Sequence, residues 1–286
     1  MRENKENRIL VVLMVLFCFN ILAWLTVFDL NRQGSLEVNF FDVGQGDAIF
    51  IEMPGNQQIL IDGGPGSAVL EKLGEEMPFW DRTIDLLILT HPHEDHLSGL
   101  IKVLENYEVE NVLWTGVMME TSIFEKWQEA IKEAKVYTAQ SGQRVIAGKA
   151  VLEILYPFEN LKDQKIKEVD DTSIVARLIF GNDSFLFTGD AFQSVEKQLA
   201  EKGIFIESDI LKVGHHGSKT SSGQDFIEEV SPGVAVISVG KDNKYGHPNQ
   251  ETLDTLAKYG IRIFRTDEQG DIKIISNSKN YAVSNF

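Results

Sequence analysis

All six histidines of this 286-residue chain follow short apolar runs of strand-like length, and that placement constrains the fold more than any other feature. Asp85-Leu86-Leu87-Ile88-Leu89-Thr90 leads into His91-Pro92-His93-Glu94-Asp95-His96. Residues 209–214 lead into His215-His216, and residues 234–240 into the loop that carries His247. Continuous apolar runs of this kind predict strands buried on both faces. A rigid sheet can aim the side chains at its strand ends into one cleft, and neutral imidazole is the commonest protein ligand for zinc-like metals. A solvated polar loop is the plain alternative at any one of the three places. Their joint pattern weighs against it.

Around these runs the pattern is α/β. Residues 38–43, 48–52 and 59–62 are short apolar or alternating runs punctuated by Gly44, Gly46, Pro54 and Gly55, which predicts antiparallel strands joined by tight turns. Further strands are expected at 112–115, 151–156, 173–180 and 185–188. Helices are expected at 98–107, 123–134, 194–202 and 250–259. The polar stretch 160–171 predicts an exposed excursion. Nothing divides residues 36–286 into two domains, and the mixture of strands and helices predicts two sheets with helices outside.

Residues 9–28 are almost wholly apolar, broken by Asn20 and Thr26. About twenty such residues cross a bilayer core as a helix. Arg2, Lys5 and Arg8 precede the run, and Asp29 and Arg32 follow it. That bias predicts a single-pass anchor, with residues 1–8 cytoplasmic, 29–35 a linker and the rest extracytoplasmic at the cell membrane. A cleaved signal peptide would have a shorter apolar region and small residues before the cut, whereas this run ends Trp24-Leu25-Thr26-Val27-Phe28. Lipid attachment at Cys18 is disfavoured by the bulky Phe17 before it. Beyond the run there is no cysteine, so any metal is held by nitrogen and oxygen alone. The formal charge of −16 argues against broad electrostatic adhesion to nucleic acid, which needs Lys and Arg to displace counterions. It leaves room for a local basic patch, or for metals, to hold a phosphate.

Alternate residues of extended chain point the same way, so His91 and His93 can share one ion while Asp95 and His96 serve a second. Two ions about 3.5–4 Å apart can clamp both oxygens of a displacement. Phe185-Leu186-Phe187-Thr188-Gly189-Asp190 brings a carboxylate to a strand end. One ring of His215 and His216 can approach the metals while the other bonds substrate or protonates a leaving group, and the two roles stay unassigned. Gly217 and Ser218 offer donors to an oxyanion.

The six-residue His-x-His-x-Asp-His turn with the later Thr188-Gly189-Asp190 resembles the metallo-β-lactamase superfamily. Phe40-Phe41-Asp42-Val43-Gly44-Gln45-Gly46-Asp47-Ala48, Leu60-Ile61-Asp62-Gly63-Gly64, Gly214-His215-His216-Gly217-Ser218, Tyr245-Gly246-His247-Pro248 and Arg265-Thr266-Asp267 narrow the resemblance. Together they resemble the hydrolase-like domain of the ComEC competence proteins over residues 36–275. The resemblance implies an αββα sandwich and a centre of two divalent metal ions, Zn2+ or Mn2+. His91 and His93 would bind the first ion, and Asp95, His96 and His247 the second. Asp190 would bridge them, and Asp62 would orient the histidine turn. It also implies a water made nucleophilic by both ions and oriented by Asp95, with His215 and His216 as catalytic partners. Many relatives place a further histidine between this turn and the bridging aspartate, and none occurs here between His96 and His215. Asp170-Asp171-Thr172-Ser173 occupies that region, so Asp171, Ser173 or water is expected to complete the first ion or meet substrate.

The implied substrate is a phosphodiester, single-stranded DNA above all. Phosphorylcholine or teichoic-acid esters, and a non-catalytic metal-stabilised binding module, are the alternatives. With one apolar run the chain has nothing to form a pore, so a separate DNA-uptake channel is the expected partner.

Overall fold

Short β-branched and aromatic runs closed by Gly or Pro become strands in the computed structural model. It gives the backbone of residues 2–32 and 34–285, and the side chains of residues 7–21, 23–24 and 34–284. Helix α1 (Arg2–Arg32) precedes β1 (Leu36–Phe40), β2 (Ile49–Met53), β3 (Gln57–Ile61), α2 (Ala68–Glu76), β4 (Thr83–Leu89), α3 (Glu94–Asn106), β5 (Glu108–Trp114), α4 (Ser122–Ala130) and β6 (Lys135–Thr138). The chain continues through β7 (Arg144–Ala147), β8 (Ala150–Tyr156), β9 (Val175–Phe180), β10 (Asp183–Phe187), α5 (Gln193–Glu201), β11 (Ile210–Lys212), α6 (Gln224–Val230) and β12 (Val234–Ile237). It ends with α7 (Gln250–Lys258), β13 (Arg262–Arg265), α8 (Thr266–Gln269), β14 (Ile272–Ser276) and β15 (Tyr281–Asn285).

The strands form two sheets, ordered β15-β14-β1-β2-β3-β4-β5-β6 and β13-β12-β11-β10-β9-β8-β7. Alternation along each strand sends one set of side chains between the sheets and the other toward the helices. Val38, Phe40, Ile51 and Ile61 of the first sheet meet Leu178, Phe185, Phe187 and Val236 of the second in one core. Phe40 and Phe187 face each other there with ring centroids 6.2 Å apart. On the outer side of the first sheet, Leu60, Leu87 and Leu89 pack with Leu73, Leu97 and Trp127 of α2, α3 and α4. On the second, Leu186, Leu211 and Ala235 pack with Leu199, Phe226 and Leu256 of α5, α6 and α7. Each fully buried Leu or Phe contributes about 1.5–3 kcal/mol. The layering is the αββα sandwich expected from the sequence.

β1, β2 and β3 are antiparallel as expected, and β3 to β6 then run parallel. β10 to β13 are parallel as well. Parallel strands release their C-terminal ends on one rim, so the segments after β1, β3, β4, β10, β11 and β12 gather there. Helix α3 begins four residues earlier than the expected 98–107. Glu94 and Asp95 suit the positive end of a helix dipole, and this start puts Asp95 and His96 on its first turn. α3 sits unusually close to the turn after β3: a Cβ on Gly99 would lie 1.7 Å from the Gly63 carbonyl oxygen. The Gly63 and Gly99 amides donate to His96 and Gly64 carbonyls at 2.8 and 2.9 Å, locking the Asp62 turn to the histidine turn.

The stretch 160–171 is largely exposed, as expected, but its last residues turn inward through a short 3-10 turn, Asp170–Thr172. At the N-terminus, the described apolar side chains of α1 are exposed, Phe17 and Phe19 each by 67%. No helix among the described residues is long and apolar enough to cross a membrane. The expected span 9–28 includes side chains at 22 and 25–28 that lie outside the described residues, as do its charged flanks at Arg2, Lys5, Asp29 and Arg32.

Candidate metal centre

Strand ends from both sheets bring four carboxylates and four histidine rings to one cleft of about 280 Å³, lined by Gln45, His93, Glu94, Asp95, Asp170, Asp190, His215, His216, Tyr245 and His247. A larger cleft of about 570 Å³ opens between β5, β6 and β7, but no histidine lines it. The smaller one carries the chemistry.

Asp190 is the hub. Its Oδ2 lies 3.3 Å from His96 Nε2, 3.4 Å from His216 Nε2, 3.9 Å from His215 Nε2 and 4.0 Å from His91 Nε2. Its amide donates to Ser173 Oγ at 3.1 Å, which fixes the turn after β10. Two donor groups flank it. His91, His93 and Asp170 form one: Asp170 Oδ1 is 2.9 Å from His93 Nδ1 and 3.4 Å from His91 Nε2. Asp95, His96 and His216 form the other, with His216 Nε2 3.5 Å from Asp95 Oδ2.

The rings are held from behind. His96 Nδ1 donates to Asp62 Oδ2 at 2.8 Å, and His216 Nδ1 to the Ser238 carbonyl at 2.9 Å. Thr90 Oγ1 spends its proton on Asp62 Oδ2 at 2.6 Å and so accepts from His91 Nδ1 at 3.1 Å. These bonds fix the tautomers, leaving each Nε2 to face the cleft, the arrangement in which outer partners orient metal ligands. His96 Nε2, His216 Nε2 and Asp190 Oδ1 are buried without a hydrogen-bond partner. Buried polar atoms seldom go unsatisfied, and nitrogens converging on carboxylates without hydrogen-bond alignment fit cations between them. The donor set of nitrogen and oxygen suits a divalent metal ion.

Charge balance tells the same story. Burial opposes the charged forms throughout, but His216 is pushed up to about 10 by Asp190, Asp47 and Asp95. His96 likewise stands well above its ordinary value beside Asp190 and Asp62. Asp95 is held well below the usual carboxylate range by His216 and His96, and Asp170 by His91 and His93. For His91 burial wins, helped by His96, and the ring stays below its ordinary value. A divalent ion competes with the protons on His96 and His216, because imidazole ligates as the neutral ring. Lys212 supplies a fixed cation. It is fully buried, ion-paired with Asp47, donates to the Gly189 carbonyl at 2.9 Å and stands 3.7 Å from Asp190 Oδ1.

The structure brings His91, His93, Asp95, His96, Asp190 and Asp62 together, and places three other groups differently from the sequence expectation. His216, not His247, stands with Asp95 and His96. His215 and His216 both adopt left-handed backbone, φ 46° and 53°, and the second ring turns inward. His247 lines the same cleft outside the two donor groups, its ring stacked on Tyr245 at 5.9 Å and its Nδ1 buried without a hydrogen-bond partner. Asp170, not Asp171 or Ser173, faces His91 and His93: Asp171 Oδ1 accepts from Ser194 Oγ at 2.5 Å, and Ser173 is buried behind Asp190. Gly217 and Ser218 do not line the cleft. Ser218 Oγ pairs with Thr220 Oγ1 at 3.0 Å, and Gly217 packs against Pro248. The sequence reading also passed over Asp47 and Lys212. Asp47 lay within a quoted string, and a lone lysine at the end of an apolar strand is the signal for Lys212.

Residues 41–241 match the family described as the metallo-beta-lactamase superfamily. The chain is 32% identical to ComE operon protein 3 of Bacillus subtilis (strain 168) over 94% of its own length and 37% of that protein's. It is 30% identical to the competence protein ComA of Neisseria gonorrhoeae over 84% of its length and 32% of that protein's. The chain thus spans about a third of the curated relatives it matches. Among solved structures, the metallo-beta-lactamase fold protein YhfI from Bacillus subtilis superposes with a TM-score of 0.56 at 15% identity, over 87% of this chain and 100% of that one.

Proposed function

Because this chain belongs to the metallo-beta-lactamase superfamily, we propose that it is a metal-dependent phosphodiesterase that cleaves single-stranded DNA. The likeness to competence proteins supports the substrate. The observation that carries the reading is the convergence of two donor groups on Asp190 Oδ2. His91, His93 and Asp170 would hold one divalent ion, Asp95, His96 and His216 the other, and Asp190 both. When bound, such a pair lowers the pKa of water and neutralises charge on a phosphoryl oxygen.

The chain's own groups do the rest. Asp62, Thr90 and the Ser238 carbonyl keep the ring nitrogens aimed into the cleft. Lys212 offsets part of the carboxylate charge, so that the site does not repel a phosphate outright. His215 is the partly buried ring beside Asp190, 25% exposed, with Nδ1 3.0 Å from Thr220 Oγ1. It is placed to protonate a leaving oxygen.

We further propose that residues 9–28 anchor the protein in the cell membrane and that a separate channel would supply the strand. The exposed apolar side chains of α1 support the first point. The test is hydrolysis of a labelled single-stranded oligonucleotide by the full chain in detergent, with Mn2+ or Zn2+, beside Asp95→Ala. Cleavage by the parent and at least a 100-fold loss in the variant is the expected result. No cleavage by a folded, metal-loaded parent would overturn the reading and leave a metal-stabilised binding module.

A further inference from the structure

We propose that a row of rings leading out of the metal cleft stacks the bases of the bound strand, with Tyr245 as its outer platform; the proposal rests on the phosphodiesterase reading above. The row starts at Phe192, two residues after Asp190, whose ring centroid lies 5.3 Å from that of His215. His215 meets His247 edge to face, at 5.7 Å and 63°, and His247 stacks on Tyr245 at 5.9 Å with the planes 16° apart. His215 Nε2 is 3.9 Å from Asp190 Oδ2, so the row is rooted at the place where a phosphate would sit. Its far end is open, with Tyr245 56% exposed and belonging to no core cluster.

The platform is pre-organised. Asn243 Oδ1 accepts from the Tyr245 and His247 amides at 3.2 and 3.0 Å, and its Nδ2 donates to the His247 carbonyl at 2.7 Å. A loop fixed before binding loses less freedom on binding. The rings also follow one another instead of converging on a point. Convergence is what an aromatic cage for a quaternary ammonium requires, whereas this chain of contacts leads from the cleft to one exposed ring, Tyr245, where a base can stack. Lys244 lies over the Tyr245 ring, Nζ 5.2 Å from its centroid, and Lys219 is tied to the same loop through its amide and Asn249 Oδ1 at 2.8 Å. Both can meet backbone phosphates. With a net charge of −16, the chain cannot hold a polyanion by general attraction, so local contacts must do it. Stacking on an aromatic side chain is sequence-tolerant and changes affinity by about 5- to 150-fold per base.

The experiment compares the full chain with Tyr245→Ala and Tyr245→Trp. The ligands are a fluorescent decathymidylate and a decamer of abasic deoxyribose, both with phosphorothioate linkages that slow turnover, bound to the metal-loaded protein. The readout is the ratio of the two dissociation constants, which a change in charge attraction common to both strands leaves unmoved, and the melting temperature of each variant shows that it is folded. The parent is expected to prefer the base-bearing strand, Tyr245→Ala to lower that preference at least fivefold, and Tyr245→Trp to keep it. A ratio near one in the parent, no measurable binding of either strand, or an unchanged ratio in Tyr245→Ala would overturn the proposal. A parallel arm with Mn2+ reads cleavage. Base preference without cleavage would keep the stacking row and remove the hydrolase reading, while equal binding with cleavage would do the reverse.

Discussion

Asp170 and Asp171 differ by one position and by their whole role. The short turn Asp170–Thr172 sends Asp170 Oδ1 toward His93 Nδ1 at 2.9 Å and Asp171 Oδ1 to Ser194 Oγ at 2.5 Å. A one-residue choice inside a polar excursion depends on tertiary packing, which the sequence does not display, whereas the His-x-His-x-Asp-His turn fixes its own spacing. The same limit separates His216 from His247. Both follow buried strands, and only the packed structure shows that it is the His216 ring that is buried among Asp47, Asp95 and Asp190. The consequence is measurable as metal content. Asp170→Ala should bind one divalent ion per chain instead of two. Its first-site affinity should fall by at least about 100-fold, since loss of a mere outer partner already costs about 10–100-fold. His247→Ala should keep both ions. Two ions retained by Asp170→Ala and one lost by His247→Ala, in titrations followed by elemental analysis, would reverse the two assignments.

Elements were legible where their signal was local. The buried strand β4, the antiparallel β1–β3 and helices α5 and α7 lie where hydrophobic period and glycine punctuation put them. Short edge strands such as β6 and β7 were missed, because their exposed residues carry little apolar pattern. Helix α5 holds a feature that only packing reveals. Glu196 is 5% exposed, and its carboxylate accepts from the Ser222 and Gly223 amides, tying α5 to the loop that follows the histidine pair. Burial raises it to about 7, against the pull of those two amides and of Lys197. Its ordinary value is 4.5. A carboxyl raised in the folded state binds its proton more tightly there than in the unfolded chain. The native state is therefore stabilised as pH falls from 7 toward 4.5, and the full penalty of the buried charge applies above 7. Glu196→Gln, neutral at every pH, removes this dependence. Melting temperatures of parent and variant should diverge in the parent's favour as pH drops from 8 to 5. A constant difference would show that the two amides fully satisfy the ionised carboxylate.

At the scale of the molecule the topology separates two ends. β1, β3 and β4 run in the same direction, so their C-terminal ends carry the Asp47, Asp62 and His91–His96 segments while Leu36, the start of β1, lies at the opposite end. Helix α1 joins the domain near Leu36, away from the metal cleft. If residues 9–28 anchor the chain, the cleft lies at the end of the domain away from the membrane. The anchoring is testable without cutting the protein. A charged side chain at the centre of a membrane helix costs about 2.5–3.5 kcal/mol, and Leu16, 59% exposed, lies midway along the apolar run. The full chain should co-sediment with phosphatidylcholine vesicles, and Leu16→Asp should shift it toward the supernatant. Because the protein carries a charge of −16 and these vesicles are neutral overall, the association should survive high salt. Salt-sensitive binding, or equal sedimentation of parent and Leu16→Asp, would rule out apolar insertion of α1.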